Sequence, residues 1–166
     1  MSLNNCSGVK FRQKGLEGIT YCFEQVVLDH FLLHRQIPPT AREAGGQLFG
    51  KVNNDIVYVC CATGPRNIDR RGRFFFNPSR WLEQLEIKRK FRQGLHYIGD
   101  WHTHPQKKPT PSSLDIQSMN DCYEQSIHQL PYFALVIVGQ TAPPEDLWVS
   151  LHNGKQWLEL FCLKEV

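Results

Sequence analysis

His102 and His104 stand two residues apart, and Asp115 follows eleven residues after the second histidine. At the end of an extended strand the period of two turns both imidazoles to one face, where they can share a metal ion. If Asp115 sits in the first turn of a following helix, its carboxylate can fold back as a third ligand. One tetrahedral position is then left for water, the open coordination of a catalytic zinc. Each fragment also has a plainer reading. Ser112-Ser113-Leu114-Asp115 fits a capping box with aspartate in the glutamate position, and Thr40-Ala41-Arg42-Glu43 has the same spacing. A single His-x-His is more often structural than ligating, and one glutamate before Gly45-Gly46 is usually a solvated loop residue.

Other metal chemistries lack their residues. The helical pair His30 and His34 has no glutamate of the H-E-x-x-H kind beside it. Zinc deaminases need H-x-E followed by P-C-x-x-C, and neither is present. Amidohydrolase barrels also begin with His-x-His on a strand, but that fold needs about 250 residues.

The conjunction is more specific than its parts. Glu43-x-Gly45-Gly46-x-Leu48-x-Gly50 precedes His102-x-His104, seven residues, Ser112, two residues and Asp115. This combination resembles the JAMM motif of the MPN/JAB family at each of its chemical positions. The resemblance implies that His102, His104 and Asp115 bind one Zn2+ per chain, that Glu43 accepts a proton from the attacking water, and that Ser112 is the oxyanion donor. It implies a cytidine-deaminase-like fold and a zinc isopeptidase or peptidase that cuts after the extended tail of a ubiquitin-like protein. The stretches from Gly64-Pro65 through Phe76-Asn77-Pro78 and from Tyr97 to Pro105 are most similar to the compact bacterial JAB-domain proteins. Some of these stand in CBASS antiphage operons, beside enzymes that conjugate a nucleotidyltransferase to its targets. The implied substrate is therefore a ubiquitin-like protein or a conjugated nucleotidyltransferase. The alternatives are a non-catalytic MPN scaffold, which normally lacks motif positions, and a protease that processes a sulfur-carrier or ubiquitin-like precursor. All five motif positions are filled here.

The elements that must position these residues are legible in the patterning. Phe23, Val26, Val27, His30, Phe31 and His34 form the stripe of an amphipathic helix. Gly46 to Lys51 and Ile56 to Ala62 flank Asn53-Asn54-Asp55 as a hairpin. Asn77-Pro78 reads as an N-cap and first-turn proline opening a second helix to about Arg92, which Gly94 stops. Leu95 to Trp101 is a largely buried strand that delivers His102 to its end. A third helix from about Ser112 carries Ile116, Met119, Tyr123, Ile127 and Leu130 and closes at Pro131. Tyr132 to Gly139 is a buried strand, and Leu147 to His152 with Lys155 to Leu163 makes a hairpin around Asn153-Gly154, a pair suited to a type I′ turn. The interleaving of helices, hairpins and long crossovers predicts an α/β domain spanning 1–166, with a mixed, largely antiparallel sheet flanked by helices.

The remaining features narrow the class. The 166 residues, 41% apolar and 21% charged, suit one soluble globular domain. No apolar run reaches the roughly 20 residues of a membrane span, and residues 1–13 lack the apolar core of a secretory signal, so the expectation is a cytoplasmic protein with no membrane partner. Six cysteines without C-x-x-C spacing read as reduced, mostly buried thiols. A net charge of +3 is too small to imply nucleic acid. Within the basic, glycine-punctuated stretch before Phe74-Phe75-Phe76, Arg66, Arg70, Arg71 and Arg73 are candidate substrate-binding residues. On a loop and edge strand beside the metal site they could meet acidic groups of an extended tail.

Overall fold

The structure, a computed structural model, describes residues 6–14 and 18–164. Chain order gives β1 (Val9–Arg12), β2 (Thr20–Phe23), α1 (Gln25–His34), β3 (Gly45–Asn53), β4 (Ile56–Ala62), β5 (Arg70–Arg71), β6 (Phe76–Asn77), α2 (Arg80–Arg92), β7 (His96–Thr103), α3 (Ser113–Gln125), β8 (Phe133–Val138), β9 (Leu147–His152) and β10 (Trp157–Cys162). Eight strands close on themselves in the order β1-β10-β9-β8-β7-β3-β4-β2, and β5 and β6 form a separate two-stranded ribbon. Pairing is parallel between β2 and β4 and between β7 and β8, and antiparallel elsewhere.

This closed barrel corrects the fold class expected from the sequence, a flanked mixed sheet of the cytidine-deaminase-like kind. Closure depends on β1 and β2, which join β10 to β4. Each has only four residues, and β1 alternates with lysine and arginine, too short and too polar a signal to read as structural strands. The structure also corrects the thiol reading for two cysteines: Cys6 and Cys22, 6.3 Å apart at Cα, are joined in a disulfide. Their 16-residue separation is set by tertiary pairing and leaves no local cysteine motif. Cys60, Cys61, Cys122 and Cys162 are free and half-buried.

Two apolar layers explain why the strands sit as they do. Along β8 the side chains alternate: Ala134, Val136 and Val138 enter the main core, whereas Phe133, Leu135 and Ile137 pack against Met119 of α3. The main core also takes Val27, Leu28 and Phe31 from α1 and Trp101 from β7, with the Phe31 and Trp101 rings 5.3 Å apart. Helix α1 starts at Gln25, two residues later than its stripe suggested, because Phe23 pairs with Val9 and Val59 in the sheet. Helix α2 has Ser79 at its N-cap position, without a side-chain capping bond, and not Asn77, which pairs with Arg70 in the ribbon. It stops at Gly94, whose φ of +80° suits glycine and lets Leu95 N–H reach the carbonyl of Lys90. Helix α3 ends at Gln125, short of Ile127 and Leu130. In the β9–β10 turn the Asn153 side chain accepts from the amides of Lys155 and Gln156, so the connection is longer than a two-residue type I′ turn. Among the described residues no helix is long and apolar enough to cross a membrane.

Candidate metal centre

Strand β7 carries one extra residue against β3: Leu48 faces Gly99 and Phe49 faces Tyr97, leaving Ile98 unpaired between them. Such a bulge shifts the phase of the side chains that follow it. Beyond it Trp101 and Thr103 turn inward and are fully buried, while Asp100 and His102 turn toward α3 and the surface cavity. His104 follows the strand and is anchored by its own N–H to the carbonyl of Val138. Gly45, two residues after Glu43, pairs with His102, which brings the Glu43 carboxylate alongside β7.

Ser112 is the N-cap of α3 and makes the reciprocal box with Asp115. Its N–H and its hydroxyl both donate to Asp115 Oδ2, at 2.7 and 2.8 Å, and its Oγ accepts from the Asp115 N–H at 3.1 Å. The reading of these residues as a cap is satisfied, and it does not exclude the chemical one. The capped helix start holds the Asp115 carboxylate against both histidines, with Oδ1 3.3 Å from His102 Nε2 and Oδ2 3.5 Å from His104 Nε2. The two Nε2 atoms are 3.1 Å apart. Glu43 Oε1 stands farther off, 4.0 Å from His102 Nε2.

Glu43, His102 and His104 each offer a ligand atom, all within 4.8 Å of one another, so the chain has a candidate Glu/His/His metal site. Asp115 stands outside that group and sets one carboxylate oxygen against each imidazole. Ligands at about 2.0–2.1 Å from a tetrahedral zinc stand roughly 3.3 Å from each other. The distances among His102, His104 and Asp115 straddle that value, and the distance to Glu43 exceeds it. The donor set of two imidazoles and a carboxylate thus fits zinc. His104 Nδ1 faces Gln106 Oε1 at 3.3 Å, which selects the tautomer whose Nε2 lone pair is free to ligate.

The electrostatics separate the two carboxylates. Burial pushes the Glu43 carboxyl up to about 7, opposed by the charge of His102 and reinforced by Asp115. Burial also raises Asp115, but the hydrogen bond and charge of His102 and the hydrogen bonds of Ser112 outweigh it and hold the group below the usual range. The pair therefore divides into one carboxyl that exchanges a proton near neutrality and one that stays ionised.

These groups line a cavity of about 490 Å³, with Phe74, Phe75 and Phe76 on one wall and α3 on the other. None of Arg66, Arg70, Arg71 and Arg73 lines it among the described residues. Arg66 donates to Gln47 Oε1, Arg71 to the carbonyls of Glu43 and Arg42, and Arg73 to the carbonyl of Pro39, while Arg70 is exposed on the ribbon. The arginine that does line the cavity, Arg80, was not singled out from the sequence. Its Nη1 donates to Glu83 Oε2 at 3.0 Å, and Tyr97 donates to Asp100 Oδ1 at 2.9 Å in the same recess. Burial and the like charge of Asp100 push the Glu83 carboxyl up to about 7. The alternation that pairs His102 with His104 also places Asp100 on the cavity face, a signal the sequence did contain.

Comparison with known proteins gives the family. The family model for prokaryotic homologs of the JAB domain matches residues 25–151. The chain belongs to that family. It is 34% identical over 135 residues to a CD-NTase/cGAS isopeptidase of Pseudomonas aeruginosa, covering 80% of this chain and 82% of that protein. It is 30% identical over 140 residues to a CD-NTase/cGAS isopeptidase of Vibrio cholerae serotype O1, covering 82% of each. The solution structure of a Desulfitobacterium hafniense protein shares the JAB-family chain's fold, with a TM-score of 0.55 at 22% identity over 82% of this chain and 87% of that one.

Proposed function

We propose that the chain is a JAMM-type zinc isopeptidase. It hydrolyses the bond between a lysine amine of a target and the C-terminal carbonyl of a ubiquitin-like tail or a conjugated CD-NTase. The observation that carries this reading is the spacing of His102, His104 and Asp115 at 3.1–3.5 Å with Glu43 one step outside, in a family whose similar members are named CD-NTase/cGAS isopeptidases. His102, His104 and Asp115 would hold one zinc, which when bound lowers the pKa of water to about 7 and polarises the scissile carbonyl.

The chain's own residues do the rest. Glu43 Oε1 takes the proton of the attacking water, a role its raised pKa suits, and returns it to the departing lysine nitrogen. The Ser112 hydroxyl turns from Asp115 to donate to the carbonyl oxygen as negative charge develops there.

The test is incubation of the zinc-loaded protein with a purified CD-NTase joined to a target by an isopeptide bond. The proposal expects both partners to be released, and release to cease in Glu43→Gln with zinc retained. An intact conjugate in the presence of bound zinc would refute isopeptidase activity on this substrate and favour a binding scaffold.

A further inference from the structure

The β5–β6 ribbon grips Glu43 by its backbone from both sides. Glu43 N–H donates to the carbonyl of Gly72 at 2.7 Å, and the Glu43 carbonyl accepts from Arg71 Nε at 2.6 Å. The Arg71 Nη2 reaches on to the carbonyl of Arg42 at 3.4 Å. These bonds hold the two peptide planes that flank the Glu43 α-carbon, and with them the residue's only two soft backbone dihedrals. What remains free is the side chain of a buried carboxylate.

The ribbon is itself anchored. Gly72 N–H donates to the carbonyl of Phe75, closing a turn in which a Cβ at position 72 would fall 2.2 Å from the Phe75 ring. Gln36, fully buried, donates to the carbonyl of Arg73 at 3.0 Å. The same turn presents Phe74 and Phe75, 77% and 52% exposed, to the cavity. One small element therefore forms the cavity wall and fixes the backbone of Glu43.

We propose that Arg71 is a positioning residue for Glu43, acting through the backbone of the proton acceptor and not through contact with substrate. The inference rests on the reading of Glu43 as that acceptor. It reverses the role that an arginine on a basic loop suggests from sequence. Removal of the guanidinium leaves the plane between Glu43 and Ala44 held only through the Ala44 N–H on Thr103 Oγ1, at 2.9 Å, and lets the carboxylate drift; a displacement near 1 Å at a reacting group costs about a hundredfold in rate.

The experiment measures kcat, KM and zinc content on the full zinc-loaded chain for wild type, Arg71→Ala, Arg71→Lys and Glu43→Gln, with the isopeptide conjugate as substrate. Backbone amide exchange of residues 40–45 is followed in parallel. The expected result for Arg71→Ala is a kcat lowered about ten- to a hundredfold, a KM within twofold of wild type, unchanged zinc and faster exchange at Glu43. Arg71→Lys is expected to recover part of kcat, and it decides the matter by the same constants if the alanine variant does not fold. A raised KM with kcat intact would overturn the proposal and make Arg71 a substrate contact, and unchanged constants would overturn it too. An active Glu43→Gln would instead remove the acceptor reading itself, whatever Arg71 does.

Discussion

Thr103, between the two histidines, carries no ligand atom yet ties three parts of the site together. Its Oγ1 donates to Gln36 Oε1 at 2.8 Å and accepts from Ala44 N–H at 2.9 Å, and both Thr103 and Gln36 are fully buried. Thr103→Val keeps the shape and removes the hydroxyl, leaving one buried acceptor and one buried donor without partners. Each orphaned group costs roughly 1–3 kcal/mol, so the loss is about 2–6 kcal/mol. That is a large part of the 5–15 kcal/mol typical of a whole domain. For a chain of this length it lowers Tm by roughly 5–15 °C. Thermal and urea unfolding followed by circular dichroism measure it, with Thr103→Ser as the control that keeps the hydroxyl and should lose only about 1 kcal/mol. The Ala44 bond is next to Glu43, so the valine variant should also lose zinc to a chelator sooner than wild type. A Thr103→Val protein within about 0.5 kcal/mol of wild type would refute the buried network as the link between the Glu43 loop and the histidines.

Three further outcomes are expected. Because Glu43 must be ionised to accept a proton and burial has raised its pKa, kcat/KM should fall as pH drops. The midpoint should lie between 4.5 and about 7, lowered from the upper value by the cation, and a pH–rate profile without that limb would contradict the role. His152 is fully buried, facing Ser150 Oγ and Asn120 Oδ1, and burial lowers its pKa from 6.5 to about 4. The unfolded chain then takes up the proton first as pH falls, so this contribution is complete above 6.5, shrinks by about 2 kcal/mol by pH 5 and is gone near 4. Urea midpoints at pH 7 and 5 should converge in His152→Gln. Ser112→Ala removes a cap worth about 1 kcal/mol and a donor to the Asp115 carboxylate proposed to bind zinc. It should weaken zinc about tenfold in competition titrations and lower kcat about 10²- to 10³-fold.

The candidate site was largely legible in the sequence because its chemistry depends on local spacing. His102 and His104 share a face through the period of a strand, and the Ser112–Asp115 box is a local helix-start signal that also brings the aspartate to the histidines. Glu43 needed the resemblance, since nothing local distinguishes it from a loop glutamate. The barrel was not legible because closure is made by two four-residue strands, one of which pairs with the far end of the chain, as Phe11 with Cys162 illustrates. The Cys6–Cys22 bond was hidden because a 16-residue separation leaves no local cysteine motif. The bulge at Ile98 decides which residues of β7 face the cavity, and a bulge of that kind leaves no mark in a largely apolar run. Arg71 and Arg73 were read by charge, but their acceptors are backbone carbonyls, which look the same in every sequence.

The most direct test of the central claim is elemental analysis of zinc on purified wild type, His102→Ala and Glu43→Ala, with conjugate cleavage assayed on the same samples. The account predicts one zinc per wild-type chain, loss of zinc and activity in His102→Ala, and zinc retained without activity in Glu43→Ala. A wild-type protein that binds no zinc after reconstitution, or a Glu43→Ala protein that loses it as His102→Ala does, would contradict the assignment of ligands and base.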